Sequence, residues 1–241
     1  MKKNNFQDQA QFVLRYARQL AIPEIGKTGQ IKISQSKVLI IGCGALGSMI
    51  AMQLGGAGVG TIGIADFDNI EISNLHRQFF YSTDEAGKSK VEMLHDKILS
   101  LNPTINVVIY KSLVQEKLAL KIFQEYDFII DATDNPDSKY LIDRISKESN
   151  VPCCIGGVQD FSGQIITILP SDKRFHEIFG KRTSSGILPC SLNGVLGPAA
   201  ALCASIQACE AIKFICRTGE ILSGRLLTFN LLYNKFIVFN L

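Results

Sequence analysis

The sequence predicts an α/β fold in which a mixed, mainly parallel sheet is flanked by helices and finished by a C-terminal antiparallel hairpin. Three observations carry that expectation. Short apolar runs of strand length alternate with amphipathic runs of helix length as far as Ile155. A glycine-rich turn, Gly42-Cys43-Gly44-Ala45-Leu46-Gly47, joins one such strand to the helix after it. Near the end, two β-rich runs, Arg225 to Asn230 and Lys235 to Asn240, are separated only by Leu231-Leu232-Tyr233-Asn234. At 241 residues the chain can bury one sizeable core and needs no second, so residues 1–241 read as a single domain.

Residues 8 to 20 read as a helix with Asp8 as N-cap and an apolar stripe of Phe12, Val13, Tyr16, Ala17 and Leu20, with Arg15 and Arg18 off that stripe. The stretch holding Pro23, Gly26 and Gly29 reads as a connector. Val38 to Ile41 is a short apolar strand, and beyond the glycine turn Ile50, Leu54 and Ala57 recur at helical spacing. That helix stops at Gly55-Gly56-Ala57-Gly58, and Thr61 to Ala65 supplies a second strand ending on Asp66. Ser82 to Ser100 is an amphipathic helix region, preceded by a turn and halted by Asn102-Pro103, and a β-rich run from Ile105 to Tyr110 follows. Glu116 to Gln124 reads helical, Asp127 to Asp131 is a buried strand, and a helix from Pro136 to Glu148 leads to the strand Val151 to Ile155. Residues 160 to 169 form a further strand. A long polar loop at 170 to 190, within a crossover segment 170–193, leads into a buried helix around 195 to 215.

Hydrophobic residues make up 46% and charged residues 20%, which is too apolar for disorder and fits a packed enzyme or binding domain. Basic residues exceed acidic ones by 25 − 22 = 3 and no run of five like charges occurs, so neither a nucleic-acid arm nor a polybasic membrane patch is evident. Any anion site must be local. The start, Met1-Lys2-Lys3-Asn4-Asn5, leads into polar residues rather than an apolar core, which argues against a secretory leader and predicts a cytoplasmic protein. Seven cysteines, an odd number with no C-x-x-C pair, point to small buried hydrophobes rather than a disulfide framework. No charged residue appears from Thr183 to Cys209, but Asn193, Pro198 and Gln207 interrupt the apolar run, and Gln207, Glu210 and Lys213 then mark a polar stripe. A core helix is expected there rather than a membrane span.

Gly42-X-Gly44-X-X-Gly47, after a strand and before a helix, lets backbone approach a phosphate at a helix N-terminus. The alternative is that the glycines only serve close strand–helix packing. Asp66 ends the second strand, where an acidic side chain accepts ribose hydrogen bonds, which supports an adenosine-containing ligand without separating NAD from ATP. Arg77 and Lys90 suit a triphosphate better than a pyrophosphate already met by helix N–H groups, and Asn74 and Gln78 add neutral polar groups. A solvated helix start is the competing account of those charges. Asp134, beyond a buried strand, lies where open α/β sheets handle ligands, and Mg²⁺ needs only one or two protein carboxylates. A helix N-cap before Pro136 is the other role open to Asp131 or Asp134.

Taken together, Arg15-Tyr16-X-Arg18-Gln19, Gly42-X-Gly44-X-X-Gly47, Asp66-X-Asp68, Asn74-Leu75-X-Arg77-Gln78, Gly87-Lys88-Ser89-Lys90, Asp131-X-Thr133-Asp134-Asn135 and Gly194-Val195-Leu196-Gly197-Pro198 resemble the ThiF/MoeB/HesA family, bacterial relatives of ubiquitin-activating E1 enzymes. The motifs run in order through nearly the whole chain. The resemblance implies a Rossmann-like ATP-binding fold and a homodimeric adenylyltransferase that activates the C-terminal Gly-Gly carboxylate of a small ubiquitin-like sulfur carrier protein. Carried over by position, Gly42, Gly44, Gly47, Asp66, Asp68, Asn74, Arg77, Gln78, Lys90 and Asp134 bind ATP, and Asp134 holds Mg²⁺. Arg18 reaches the partner subunit's ATP. The chemistry is consistent with a site poor in histidine: a carboxylate is already ionised at neutral pH, so alignment and cations are needed and a general base is not. His76 falls at the variable position of its block and reads as a local contact.

The sequence departs from the family pattern in carrying neither of two C-x-x-C pairs that form a zinc site in many relatives, so no structural zinc is expected. Cys190 matches by position a cysteine that becomes covalently involved in sulfur transfer in some relatives, with a structural cysteine as the alternative. A ThiS-like carrier of thiamine biosynthesis is favoured over a MoaD-like carrier of molybdopterin biosynthesis. E1-like activation of another peptide carboxylate or of a tRNA nucleoside carboxylate stays open, as do an NAD-dependent oxidoreductase and a non-catalytic nucleotide-binding module.

Overall fold

The computed structural model describes residues 4–180 and 194–241, with side chains from residue 10 onward. In chain order its elements are α1 (Asn4–Leu20), α2 (Gly26–Gln35), β1 (Lys37–Ile41), α3 (Ala45–Ala57), β2 (Thr61–Ala65), α4 (Lys90–Leu101), β3 (Asn106–Tyr110) and α5 (Glu116–Ile122). There follow β4 (Phe128–Asp131), α6 (Pro136–Glu148), β5 (Cys153–Gln159), β6 (Ser162–Ile168), α7 (Phe175–Phe179), α8 (Gly197–Cys216), β7 (Arg225–Asn230) and β8 (Lys235–Asn240). Among the described residues the strands form one sheet in the order β3-β2-β1-β4-β5-β6-β7-β8. The first five are parallel, and β6, β7 and β8 run antiparallel to their neighbours.

The parallel half is buried on both faces, as the unbroken apolar strands require. Val38 and Ile40 of β1 join Ile62, Ile64, Phe128 and Ile130 in a core beneath α3, α4 and α8, while Leu39 and Ile41 face the opposite core with Ile129, Cys153 and Ile155 under α5 and α6. The two-residue alternation of a strand thus feeds two cores from one wholly apolar run. The winding reverses between β1 and β4: β2 and β3 extend the sheet to one side of β1, β4 and β5 to the other. At such a switch point the loops leaving the strand ends diverge and open a crevice.

Several expectations need correction. The helix expected from Ser82 starts only at Lys90, because a 3₁₀ turn at Thr83–Glu85 and Gly87 at φ +84° interrupt the chain before it. The first helix begins at Asn4, so Asp8 lies inside it and is not its N-cap. Of its expected apolar stripe, Tyr16 is buried but Val13 and Ala17 are exposed. Polar contacts dock this helix: the Tyr16 hydroxyl accepts from Asn102 Nδ2 at 2.9 Å, and Gln19 Nε2 donates to the Ala57 carbonyl at 3.0 Å. The expected connector around Gly26 and Gly29 holds α2, whose Gly29 lies against Ile25 and Cys216 so closely that a Cβ would stand 3.1–3.2 Å from them. The glycine there serves helix packing rather than a loop. The 170 to 190 loop contains the short helix α7, tied to α6 by Arg174, which ion-pairs with buried Asp143 and donates to the Leu169 carbonyl at 3.2 Å.

Helix α8 is long and apolar enough to cross a membrane, yet Ala199, Ala200, Cys203, Ala204, Ala208 and Ala211 are packed into the core. Its Gln207 and Glu210, two members of the polar stripe, are buried. Glu210 accepts from Thr167 Oγ1 and from the Leu222 amide, both at 2.6 Å, and Gln207 Nε2 donates to the Asp131 carbonyl at 2.8 Å. Cys43, Cys153, Cys154, Cys203 and Cys216 are buried free thiols, as their apolar contexts predict, and Cys209 is exposed. Cys190 lies outside the described residues.

Candidate active site

Beyond β1 the chain must turn sharply, and Gly42 does so at φ +94°. A Cβ on Gly42 would stand 2.7 Å from the Ala132 carbonyl oxygen, and one on Gly47 would sit 1.7 Å from the Gly42 carbonyl oxygen. Close packing by itself therefore requires these two glycines. Gly44 differs, since its nearest neighbour would be Gln78 Nε2 at 3.5 Å. It is the N-cap of α3 and brings no side-chain acceptor, so the first-turn N–H groups of α3 are left to the cleft that Gly44, Ala45 and Leu46 line.

Asp66, just past β2, holds this turn in place. Its Oδ2 accepts from the Cys43 amide at 2.6 Å and its Oδ1 from the Asp68 amide at 2.8 Å, leaving further lone pairs on both oxygens. Tyr81, which sequence reasoning missed, donates its hydroxyl to the Cys43 carbonyl at 2.8 Å from below, and burial pushes its phenol well above the usual range. Lys90, the first residue of α4, is buried with its ammonium 2.9 Å from half-exposed Asp68. After the 3₁₀ turn Ile72–Asn74, Arg77 spreads its guanidinium between Asn74 Oδ1 and His76 Nε2, both at 2.7 Å. Gln78 is 4% exposed and its Oε1 has no hydrogen-bond partner among the described residues. A buried amide oxygen without a donor costs about 1–3 kcal/mol, which a bound molecule can recover.

The end of β4 carries two aspartates with different fates. Asp131 is fully buried: its Oδ1 accepts from the Thr133 amide and hydroxyl at 3.1 and 2.6 Å, and its Oδ2 meets Lys139 Nζ at 2.6 Å. Asp134 is exposed to the cleft and makes no hydrogen bond or ion pair among the described residues. Neither caps α6; that role falls to Asn135, whose Oδ1 accepts from the Ser138 amide at 2.9 Å, with Pro136 at the first helical position. Lys139 was also missed, because its reach to β4 and β5 depends on how α6 is set on the sheet.

These groups line one cleft of about 1380 Å³, bounded by Leu113 and Val114 at one end and by Gly157, Gly163 and Asn230 at the other. It gathers Gly42, Gly44, Asp66, Asp68, Asn74, Arg77, Gln78, Lys90 and Asp134. Gly47 packs behind the turn. Arg18 does not line the cleft; it is exposed on α1 and has no hydrogen-bond or ion-pair partner among the described residues. No group of three or more His, Cys, Asp or Glu side chains disposed for a metal occurs among the described residues. Asp66 and Asp68 already bond protein neighbours and Asp131 is buried, whereas Asp134 has no partner among the described residues, so it is the cleft carboxylate a cation would take, and Mg²⁺ needs only one or two protein carboxylates.

Comparison with known proteins places the chain among relatives of the same kind. The chain is 36% identical over 228 residues to a probable molybdopterin-synthase adenylyltransferase of Gracilaria tenuistipitata var. liui, covering 94% of this chain and 64% of that one. It thus spans just under two thirds of that relative. It is 32% identical over 229 residues to a sulfur carrier protein adenylyltransferase of Thermus thermophilus, covering 92% of this chain and 84% of that one. E. coli MccB, solved with MccA-N7isoASN, shares the fold with a TM-score of 0.81 at 22% identity over the whole of this chain and 79% of that one. The ThiF family model matches residues 16–241, so the ordered motifs from Tyr16 onward and the cleft they build are those of a family member, and the chain belongs to the ThiF family.

Proposed function

We propose that the protein is an ATP-dependent adenylyltransferase that activates the C-terminal carboxylate of a small ubiquitin-like sulfur carrier protein ending in Gly-Gly. The observation that carries this reading is the joint presence, in one cleft, of the open α3 N-terminus, the cations Arg77 and Lys90, and the uncommitted carboxylate of Asp134. A pyrophosphate dinucleotide leaves the last three without work. The cleft also exceeds the ~300–1,000 Å³ of an ordinary small-molecule site, and its far end, with Gly157 and Gly163, can admit an extended Gly-Gly tail beside the nucleotide.

In this reading a carrier carboxylate oxygen attacks the α-phosphorus of ATP, the bond to the β-phosphate oxygen breaks, and pyrophosphate leaves with that electron pair. The product is an acyl-adenylate. Both reactants are anionic, so the site must hold them in line and offset charge as it moves to the leaving group. The α3 amides and Arg77 face the phosphates, Lys90 exchanges Asp68 for a phosphate oxygen, and Asp66 keeps the glycine turn in register while accepting from the ribose. Asp134 would hold Mg²⁺, and the ion would supply charge neutralisation on the phosphates. Arg18, without a hydrogen-bond or ion-pair partner among the described residues of its own subunit, serves the neighbouring site in a homodimer, and a cytoplasmic location belongs to the same reading. The relatives' names, molybdopterin-synthase adenylyltransferase and sulfur carrier protein adenylyltransferase among them, support a sulfur carrier, and ThiS-like and MoaD-like carriers are the two that we weigh first.

Carrier-dependent ATP–pyrophosphate exchange tests the proposal, with small Gly-Gly-ended proteins of both kinds offered in turn. Exchange with one identifies the substrate. Retained NAD binding with no exchange for any carrier would sink the proposal. Arg77→Ala should lower exchange by roughly 10²–10³-fold, the scale for losing one donor at a charge-developing centre, with the thermal transition preserved.

A further inference from the structure

We propose that Lys139 is a positioning residue that fixes Asp134 against the glycine turn and thereby sets the strength of Mg²⁺-dependent nucleotide binding; this deepens the adenylation reading and rests on it. An ammonium has three N–H donors and no acceptor. All three of Lys139 are spent on protein: Asp131 Oδ2 at 2.6 Å, the Thr133 carbonyl at 2.9 Å and the Gly156 carbonyl at 2.7 Å. Although Lys139 lines the cleft, it has no donor left for a ligand, so its effect must pass through the groups it holds.

Those groups are the ones that place Asp134. The Thr133 carbonyl belongs to the peptide that leads into Asp134, and Asp131 grips the same residue from its other side through the Thr133 amide and hydroxyl. Gly156 lies on β5, so the ammonium ties the loop leaving β4 to the neighbouring strand. Gln207 of α8 adds a hydrogen bond to the Asp131 carbonyl at 2.8 Å, and the Ala132 carbonyl abuts Gly42 so closely that no Cβ fits between them. Residues 131–133 are therefore held on three sides, while Asp134, the next residue, is exposed and unheld except through them. Lys139 supplies the contacts that reach both strands. Its side chain is only 13% exposed, and the Asp131 side chain is fully buried, so the tie is shielded from competing water.

Calorimetric titration of the folded protein with a non-hydrolysable ATP analogue, in Mg²⁺ and again in EDTA, tests the proposal without turnover. Lys139→Met should raise Kd in Mg²⁺ by roughly 10–100-fold, the usual cost of losing a partner that orients a metal ligand, and leave Kd in EDTA unchanged. Should burial of an unpaired Asp131 prevent folding, the double variant Asp131→Asn with Lys139→Met removes both charges and is expected to show the same selective loss. Equal losses in both buffers, or no loss in either folded variant, overturn the role given to Lys139. Asp134→Asn separates the two readings: if it loses Mg²⁺-dependent affinity and the Lys139 variants do not, the positioning role alone fails. If Asp134→Asn binds as the unmodified protein does, or that protein binds no analogue, the nucleotide reading and this inference fall together.

Discussion

Asp131 and Asp134 are separated by two residues and do opposite things. The first is removed from water and compensated by an ammonium, a hydroxyl and an amide; the second stays hydrated and uncompensated at the mouth of the switch point. A buried carboxylate without such partners is costly, by about 3–5 kcal/mol when one partner is removed, so Asp131 belongs to the scaffold, while exposed Asp134 carries no such structural demand. The thiols follow the same logic. Burial pushes Cys153 and Cys203 up to about 12 and Cys43 and Cys154 well above the usual thiol range. Each is therefore a neutral thiol at about pH 8, where only the thiolate reacts with iodoacetamide. Peptide mapping after brief native labelling should find these four unmodified and exposed Cys209 modified, with all five modified in denaturant. Native labelling of Cys153 would contradict the packing described.

At the scale of elements, α3 and α6 begin in contrasting ways. Helix α6 is fully finished, with Asn135 as cap and Pro136 after it, whereas α3 starts on Gly44 with no side-chain acceptor. A helix whose N-terminus awaits a phosphate cannot also be closed by its own cap. Replacing Asn135 by alanine should cost about 1 kcal/mol of folding stability, read as a lower urea midpoint with an unchanged slope. It should leave nucleotide Kd close to that of the unmodified protein, because Lys139 and Asp131 still hold the loop. A large loss of nucleotide affinity at preserved fold would show that the cap, rather than the lysine, sets the position of Asp134.

At the scale of the molecule, the site described within one chain is incomplete if Arg18 belongs to it, because Arg18 is exposed on α1 and does not line the cleft of its own chain. Service in trans makes a sharp prediction. Arg18→Ala and Arg77→Ala should each lower exchange by roughly 10²–10³-fold, yet an equal mixture, after subunit exchange, should recover roughly a quarter of the sites, since each mixed dimer rebuilds one. No recovery, with mixed dimers shown to form, would remove Arg18 from the neighbouring site.

What the sequence determined by itself is local. The glycine turn, the strands of the parallel half, α6 from Pro136 to Glu148 and the terminal hairpin were legible because apolar periodicity and turn residues act over a few positions. So were the cleft residues carried by ordered motifs, from Gly42 to Asp134. Tertiary structure decided what depends on distant partners. Glycines at 26 and 29 read as a loop because the tight fit of Gly29 beside Cys216 lies far along the chain, and the partners of the polar stripe's Gln207 and Glu210 were not legible because Asp131, Thr167 and Leu222 sit on other elements. Only the folded chain could separate Gly44, free of packing demands, from Gly42 and Gly47, or reveal that Lys139 spends every donor on β4, the loop that leaves it and β5. A side chain's role is fixed by what surrounds it in space, and a one-dimensional pattern carries that information only where the neighbours in space are also neighbours in sequence.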